Sequence, residues 1–171
     1  NEPTLVLVTD VEILDDQTEK LLPGGTFDIV NAEGELVQSG TLGENGDRTI
    51  RYMTPGKYTL KQTKAPLGYV LQVEEYAFEI NSNGYVTGDT KIINTPTVVV
   101  ISKLDPDKKA VADATYEIYN GENEKVFAGK TDEEGKLTAK YLSAGEYTYK
   151  ETKAPSGYAL NPMAYAFEIA K

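Results

Sequence analysis

A lysine and a glutamate in the second half of the chain are the residues best suited to chemistry. Lys103 follows Val99 and Ile101 at every second position, so strand alternation places it on the side that faces the core. Glu151 lies in the phrase KETKAPSGY. If the two side chains meet away from water, burial disfavours both charges. The amine then becomes a nucleophile, and the carboxyl can exchange protons with it.

The chain is a tandem duplication. An offset of 89 residues aligns KQTKAPLGY at 61–69 with KETKAPSGY at 150–158. The same offset aligns the YAFEI segments at 76–80 and 165–169. Repetition over such distances indicates two copies of one structural unit.

The two copies differ at both candidate positions. Gln62 replaces Glu151, and Ile13 replaces Lys103 once a one-residue deletion in the second copy is counted. The differences are correlated, as expected if an amine and a carboxyl meet in the interior and are gained or lost together. Two alternatives stay open: the Lys103 amine reaches solvent from a strand end, and Glu151 is exposed beside a lysine such as Lys150.

Alternating apolar residues and regularly spaced turns predict an all-β fold. Pairs such as Asn83-Gly84 and Glu134-Gly135 tolerate the backbone angles of tight turns, and no window of helical length shows a convincing helical period. Turns every eight to twelve residues are typical of β-sandwiches. A proline-containing joint at Asn94–Thr97 predicts two domains, residues 1–95 and residues 96–171.

Composition excludes several classes of function. Seventeen basic and 27 acidic residues give a net charge of −10, which argues against a nucleic-acid partner. The chain has no cysteine and no histidine, so we expect no common zinc site, no Ser-His catalysis, no metal and no cofactor. Apolar runs such as Val98–Ile101 are too short to insert into a membrane.

Several motifs resemble the Cna B-type, or SpaA-type, domains of Gram-positive pilins and surface adhesins. They are SKLDPDKKAVADATYEI, LLPGGTFDIV, PGKYTLKQTKAPLGYVL and AGEYTYKETKAPSGYAL. The resemblance implies two tandem immunoglobulin-like sandwiches of the inverse, or prealbumin-like, type. It also implies an extracellular location on the bacterial cell wall or pilus, and a structural or adhesive stalk module rather than an enzyme.

The resemblance further implies a self-made covalent bond. In such domains a first-strand lysine forms an isopeptide bond with a last-strand Asn or Asp, and the glutamate of the repeated phrase promotes the reaction. In the second copy these roles fall to Lys103 as the nucleophile and Glu151 as the proton shuttle. The first copy keeps Asn94 but has Ile13 and Gln62, so we predict no bond there and an Asn94 that only forms hydrogen bonds.

The second copy is predicted to lack its last strand. The counterpart of Asn94 would fall near position 183, 89 residues further on, whereas the sequence ends at Lys171. We therefore expect the acceptor strand to come from a separate peptide, from a missing native segment, or from a neighbouring molecule, conceivably through Asn1. Other pilin or adhesin domains and a host surface ligand are further expected partners.

A binding module for carbohydrate or for a host protein is the main alternative. Tyr52, Tyr69, Tyr85 and Tyr119 would be its exposed platforms, although tyrosine in strands is more often packing. A glycosidase is less well supported, because adjacent carboxylates such as Glu74-Glu75 point to opposite faces of a strand.

Overall fold

The computed structural model of the protein describes residues 9–170, and this range contains strands but no helix. The chain divides into two compact units, Asn1–Pro96 (unit 1) and Thr97–Lys171 (unit 2). The prediction of an all-β chain with two repeats is confirmed. No helix in the described range could therefore cross a membrane. Asn1, named above as a conceivable acceptor, lies outside the described residues.

Unit 1 is a sandwich of two sheets. Its strands are β1 (Thr9–Asp15), β2 (Thr26–Asn31), β3 (Leu36–Thr41), β4 (Asp47–Ile50), β5 (Gly56–Lys64), β6 (Glu75–Ile80), β7 (Val86–Gly88) and β8 (Lys91–Asn94). The small sheet has the order β4-β1-β8, and the large sheet has the order β3-β2-β5-β6-β7. β8 runs parallel to β1, so the last strand of the unit lies beside the first.

The core of unit 1 follows from alternation along these strands. Inward residues of both sheets are buried while their neighbours face solvent, as strand geometry requires. The fully buried apolar side chains include Val11, Ile13, Phe27, Ile29, Leu60 and Ile92. Each such side chain contributes roughly 1.5–3 kcal/mol relative to exposure. Gln62 and Asn94 occupy inward positions in the same layer.

Unit 2 repeats this plan with fewer strands. They are β9 (Val98–Ser102), β10 (Thr115–Asn120), β11 (Lys125–Lys130), β12 (Lys136–Lys140), β13 (Gly145–Lys153) and β14 (Ala164–Ile169). The sheets have the orders β12-β9 and β11-β10-β13-β14. Within residues 9–170, β9 therefore pairs only with β12, and no strand follows β14. Unit 2 thus lacks counterparts of both β7 and β8 in this range, whereas the sequence predicts only that the last strand is missing.

Candidate functional site: a buried amine and carboxylate

Lys103 and Glu151 meet between the two sheets of unit 2. The Lys103 Nζ lies 3.1 Å from the Glu151 Oε2, within hydrogen-bonding distance. The side chain of Glu151 is 1% exposed and that of Lys103 is 15% exposed. Neither open alternative holds, because Glu151 is not a surface residue and the Lys103 amine turns inward to the carboxylate.

The backbone of Lys103 is fixed by two neighbouring turns. Its N–H donates to the carbonyl oxygen of Gly135 at 2.8 Å, and its carbonyl accepts from the N–H of Val111 at 3.0 Å. Gly135 has a φ of 69°, and a Cβ there would lie 2.6 Å from the Lys103 carbonyl oxygen. The predicted Glu134-Gly135 turn therefore positions the lysine, and this close approach requires glycine.

Glu151 is satisfied at one oxygen and unsatisfied at the other. Its Oε2 also accepts the backbone N–H of Asn161 at 2.9 Å. Its Oε1 is buried and has no hydrogen-bond partner among the described residues. An unsatisfied buried oxygen of this kind costs on the order of 1–3 kcal/mol or more. Tyr116 lies directly across the strand pair from Glu151, and burial, followed by the negative charge of Glu151, raises the pKa of Tyr116 to about 12.

In unit 1, Gln62 is the counterpart of Glu151 and forms a pair of amides with Asn94 of the last strand. Gln62 and Asn94 exchange two hydrogen bonds, from Gln62 Nε2 to Asn94 Oδ1 at 2.9 Å and from Asn94 Nδ2 to Gln62 Oε1 at 3.0 Å. Asn94 also donates to the carbonyl oxygen of Val70. Ile13 is completely buried and cannot act as a nucleophile. Asn94 is therefore a hydrogen-bonding residue, and its specific partner is Gln62.

A shared backbone contact aligns the two sites atom by atom. Gln62 Oε1 accepts the N–H of Gln72 at 2.8 Å, and Glu151 Oε2 accepts the N–H of Asn161. Gln72 and Asn161 are counterparts at the offset of 89 residues. Glu151 Oε1 thus corresponds to Gln62 Nε2, the atom that contacts Asn94 in unit 1. The unsatisfied oxygen therefore occupies the position from which Gln62 contacts the last strand of unit 1.

Of the four tyrosines considered as binding platforms, two are well exposed and two are held against other side chains. Tyr69 is not a platform, because its hydroxyl donates to Asp15 Oδ2 at 2.8 Å and its ring packs against the core of unit 1. Tyr119 is held by Glu117 and lies under Lys150, whose Nζ is 4.7 Å from the ring centroid. Tyr52 and Tyr85, by contrast, are well exposed.

Asp15 is a buried carboxylate that closes the turn after β1. It accepts the hydroxyl of Tyr69 together with the backbone N–H groups of Gln17 and Thr18. These bonds, with that of Tyr69 the largest influence, lower the pKa of Asp15 to about 2. Asp15 thereby ties the repeated KQTKAPLGY phrase to the end of the first strand.

Acid should destabilise unit 1 in a defined pH window. The lowered pKa means that Asp15 contributes its full stabilisation above about pH 4 and loses it as pH falls towards about 2. Urea unfolding of unit 1 can be monitored through its NMR signals. The midpoint urea concentration should decrease as the pH is lowered through this window. Tyr69→Phe should flatten the dependence by removing the main cause of the shift. A midpoint that falls equally in the variant would contradict this role for the hydroxyl.

Comparison with known proteins identifies the family. Residues 10–95 and 97–171 each match the model of the SpaA prealbumin-like fold domain. The trypsin-resistant surface T6 protein of Streptococcus pyogenes serotype M6 is 33% identical over 78 residues, which cover 46% of this chain and 14% of that protein. No group of side chains in residues 9–170 is arranged to hold a metal ion.

Two solved structures are also similar to this chain. The Bacillus anthracis TIE protein is 34% identical with a TM-score of 0.52, over 96% of this chain and 32% of that one. A C-terminal fragment of the pilus adhesin SpaC from Lactobacillus rhamnosus GG is 17% identical with a TM-score of 0.48, over 93% and 80% of the two chains. The chain therefore spans about a third or less of the first two relatives. Since the family model matches both repeats, the chain belongs to the SpaA prealbumin-like fold family.

Proposed function

We propose that this chain is a structural or adhesive stalk segment of a Gram-positive cell-surface pilin or adhesin. Unit 2 forms one isopeptide bond, from Lys103 to an Asn or Asp on a last strand that lies outside residues 9–170. The observation that carries the proposal is the contact of the half-buried Lys103 with the buried Glu151, whose unsatisfied Oε1 matches the Gln62 atom that contacts the last strand of unit 1. Family membership and the surface and pilus proteins among the relatives support the cell-surface location.

The contact between the two side chains supports a balanced reaction. Proton transfer from the ammonium of Lys103 to Glu151 across 3.1 Å gives a neutral amine beside a neutral acid. The amine attacks the side-chain carbonyl carbon of the acceptor, forming the new C–N bond. Glu151 gives its proton to the departing nitrogen of an Asn and takes one from the Lys103 nitrogen. The old C–N bond breaks, and ammonia leaves; with Asp, water leaves instead.

Glu151 is well placed for this shuttle. Its Oε2 holds the lysine, and its Oε1 lies at the position from which Gln62 contacts Asn94 in unit 1. One carboxyl can therefore touch both the nucleophile and the acceptor. Because the product remains attached to Lys103, the reaction occurs once per molecule. The chain would therefore cross-link itself and would not turn over a substrate.

Intact mass tests the covalent step. A chain extended after Lys171 by a copy of residues 83–97, which keeps the offset of 89 residues, should have a mass one ammonia lower than the mass calculated from its sequence. The lysine is the nucleophile, so Lys103→Ala in the same extended chain should keep the full mass. A full mass in the parent chain, with the added strand paired by NMR, would refute the proposal, as would an ammonia loss that persists in Lys103→Ala.

A further inference from the structure

Six tight turns within residues 9–170 share one backbone pattern. In each turn the first residue donates its N–H to the carbonyl oxygen of the fifth, and the fourth residue donates its N–H to the carbonyl oxygen of the first. The turns begin at Asn31, Gly43, Asn81, Asp105, Asn120 and Asp132. Because the backbone bonds are the same, the side chain at the first position is the main difference between them.

Five of these turns are held by the side chain of their first residue. Its Oδ1 accepts the N–H of the fifth residue at 2.8–3.0 Å, and we call this bond the brace of the turn. A side-chain bond of this kind stabilises a turn against opening. The turn at 43–47 has no brace, because Gly43 has no side chain. Its counterpart in unit 2, at the offset of 89 residues, begins with Asp132 and is braced.

The turn without a brace contains a dipeptide that can react with itself. Its third and fourth residues are Asn45 and Gly46. Asn45 is exposed, and its side-chain amide has no hydrogen bond among the described residues. Glycine has no Cβ, so its backbone nitrogen can approach the side-chain carbonyl carbon of the preceding Asn without hindrance. Unit 2 has Glu134 in place of Asn45, and a carboxylate has no ammonia to expel.

We propose that Asn45 is a site of spontaneous deamidation in unit 1. The backbone nitrogen of Gly46 attacks Cγ of Asn45 and loses its proton. The bond from Cγ to Nδ2 breaks, and ammonia leaves a cyclic imide behind. Water then adds to one of the two imide carbonyls and opens the ring. One direction of opening gives aspartate, and the other gives isoaspartate, in which the main chain runs through Cγ.

Opening of the turn controls the rate of this reaction. In the folded turn the Gly46 N–H donates to the carbonyl oxygen of Gly43 at 2.9 Å. The nitrogen can attack only after this bond breaks, and a brace would make the open form rarer. The missing brace therefore leaves Asn45 the more reactive.

Two other Asn-Gly pairs provide internal comparisons. Asn83 precedes Gly84 in the turn braced by Asn81, which also accepts the N–H of Asn83. Asn120 precedes Gly121 and is itself a brace: its Oδ1 accepts two backbone N–H groups, and its Nδ2 donates to Glu124. Three bonds must break before this amide can react. We therefore expect Asn45 to react fastest and Asn120 slowest.

The isoaspartate product should weaken unit 1. Gly46 lies close to the segment between β1 and β2, and a Cβ on it would lie 2.5 Å from the backbone nitrogen of Leu22. Its carbonyl oxygen accepts the N–H of the completely buried Ile13 at 3.4 Å. An extra main-chain atom at position 45 would displace Gly46 from both contacts. Deamidation would thus loosen the attachment of β1.

The test follows deamidation of the folded 171-residue chain in mildly alkaline buffer by peptide mass mapping. Asn45 should react faster than Asn83, with Asn120 slowest. Gly43→Asn introduces a brace, and Gly43→Ala is the matched control that adds a Cβ but no acceptor. Both should fit, since a Cβ at position 43 lies 3.6 Å from the nearest atom, the carbonyl oxygen of Asp47. Asn45 should react about fivefold more slowly in Gly43→Asn than in Gly43→Ala.

Urea unfolding of aged samples tests the consequence for unit 1. Asn45→Glu carries the residue of unit 2 and cannot form the imide at this position. Unit 1 of the aged parent chain should therefore unfold at a lower urea midpoint, by its NMR signals, than unit 1 of aged Asn45→Glu. Equal rates in the two Gly43 variants, or a rate at Asn45 no higher than at Asn83, overturn the proposed site. Equal midpoints overturn the effect on β1.

Discussion

Replacing Ile13 with lysine and Gln62 with glutamate in one molecule should cross-link unit 1 to itself through Asn94. The acceptor is already in place, because β8 lies beside β1 with Ile92 opposite Ile13 and Asn94 two residues further along. All of these side chains are buried. The introduced pair would reproduce the contact that Lys103 and Glu151 make in unit 2. Intact mass should fall by one ammonia.

The new bond should also stabilise unit 1. It would close a loop from position 13 to Asn94, and constraint of the unfolded chain by a loop of that length is worth about 4 kcal/mol in the loop-entropy model. Chemical denaturation of the cross-linked species against the parent chain measures this gain. Formation of the bond should require both substitutions.

The single variants and a matched apolar change serve as controls. Ile13→Lys alone places an ammonium in the core without a carboxylate and should destabilise unit 1 by about 3 kcal/mol or more. Ile13→Met with Gln62→Glu should fold and keep the full mass, since it offers no amine. If the double variant folds yet also keeps the full mass, the geometry assigned to the reaction is wrong.

The largest kinetic effect is expected from Glu151→Gln in unit 2. Unit 1 shows that glutamine fits this position, because Gln62 accepts the N–H of Gln72, the counterpart of Asn161, and contacts the last strand. The variant should therefore bind a synthetic peptide of residues 81–97. Without a proton shuttle, however, the bond should form about 10²–10⁴-fold more slowly. The adduct can be followed over time on denaturing gels.

A substitution that removes a carboxylate at an exposed position of the same strand is the control for the loss of one negative charge. Glu146 lies in β13 and faces solvent, so Glu146→Gln should form the adduct at the parental rate. A Glu151→Gln chain that reacts as fast as the parent would remove Glu151 from the mechanism while leaving Lys103 as the nucleophile.

The sequence predicts the fold and the central pair because both rest on simple physical rules. Alternation and turn residues determine the strands. A lysine at a core position needs a nearby carboxylate, so the correlated change between copies identifies Glu151 as the partner of Lys103. The structure brings these two residues together; their roles in bond formation stay a prediction.

Other contacts of the site cannot be predicted from the types of the residues that make them. The N–H groups of Gln72 and Asn161 are backbone donors that any residue but proline could provide. Only the offset of 89 residues relates them, once one contact is known. The alternative of a binding module would need Tyr69 as an exposed platform, and Tyr69 does not serve as one because its hydroxyl reaches Asp15 across the fold. Such a long-range contact is not encoded in local periodicity.

The parallel pairing of β1 with β8 determines how unit 1 responds to tension. Force applied at the outer ends of these strands pulls them past each other along their length, so the hydrogen bonds between them share the load and break together. Once they break, the roughly 80 residues between Ile13 and Asn94 can extend by up to about 250 Å. A cross-linked unit 2 would not lengthen in this way. The two repeats would then differ in extensibility: unit 1 could lengthen under load and refold, whereas a cross-linked unit 2 would keep its length.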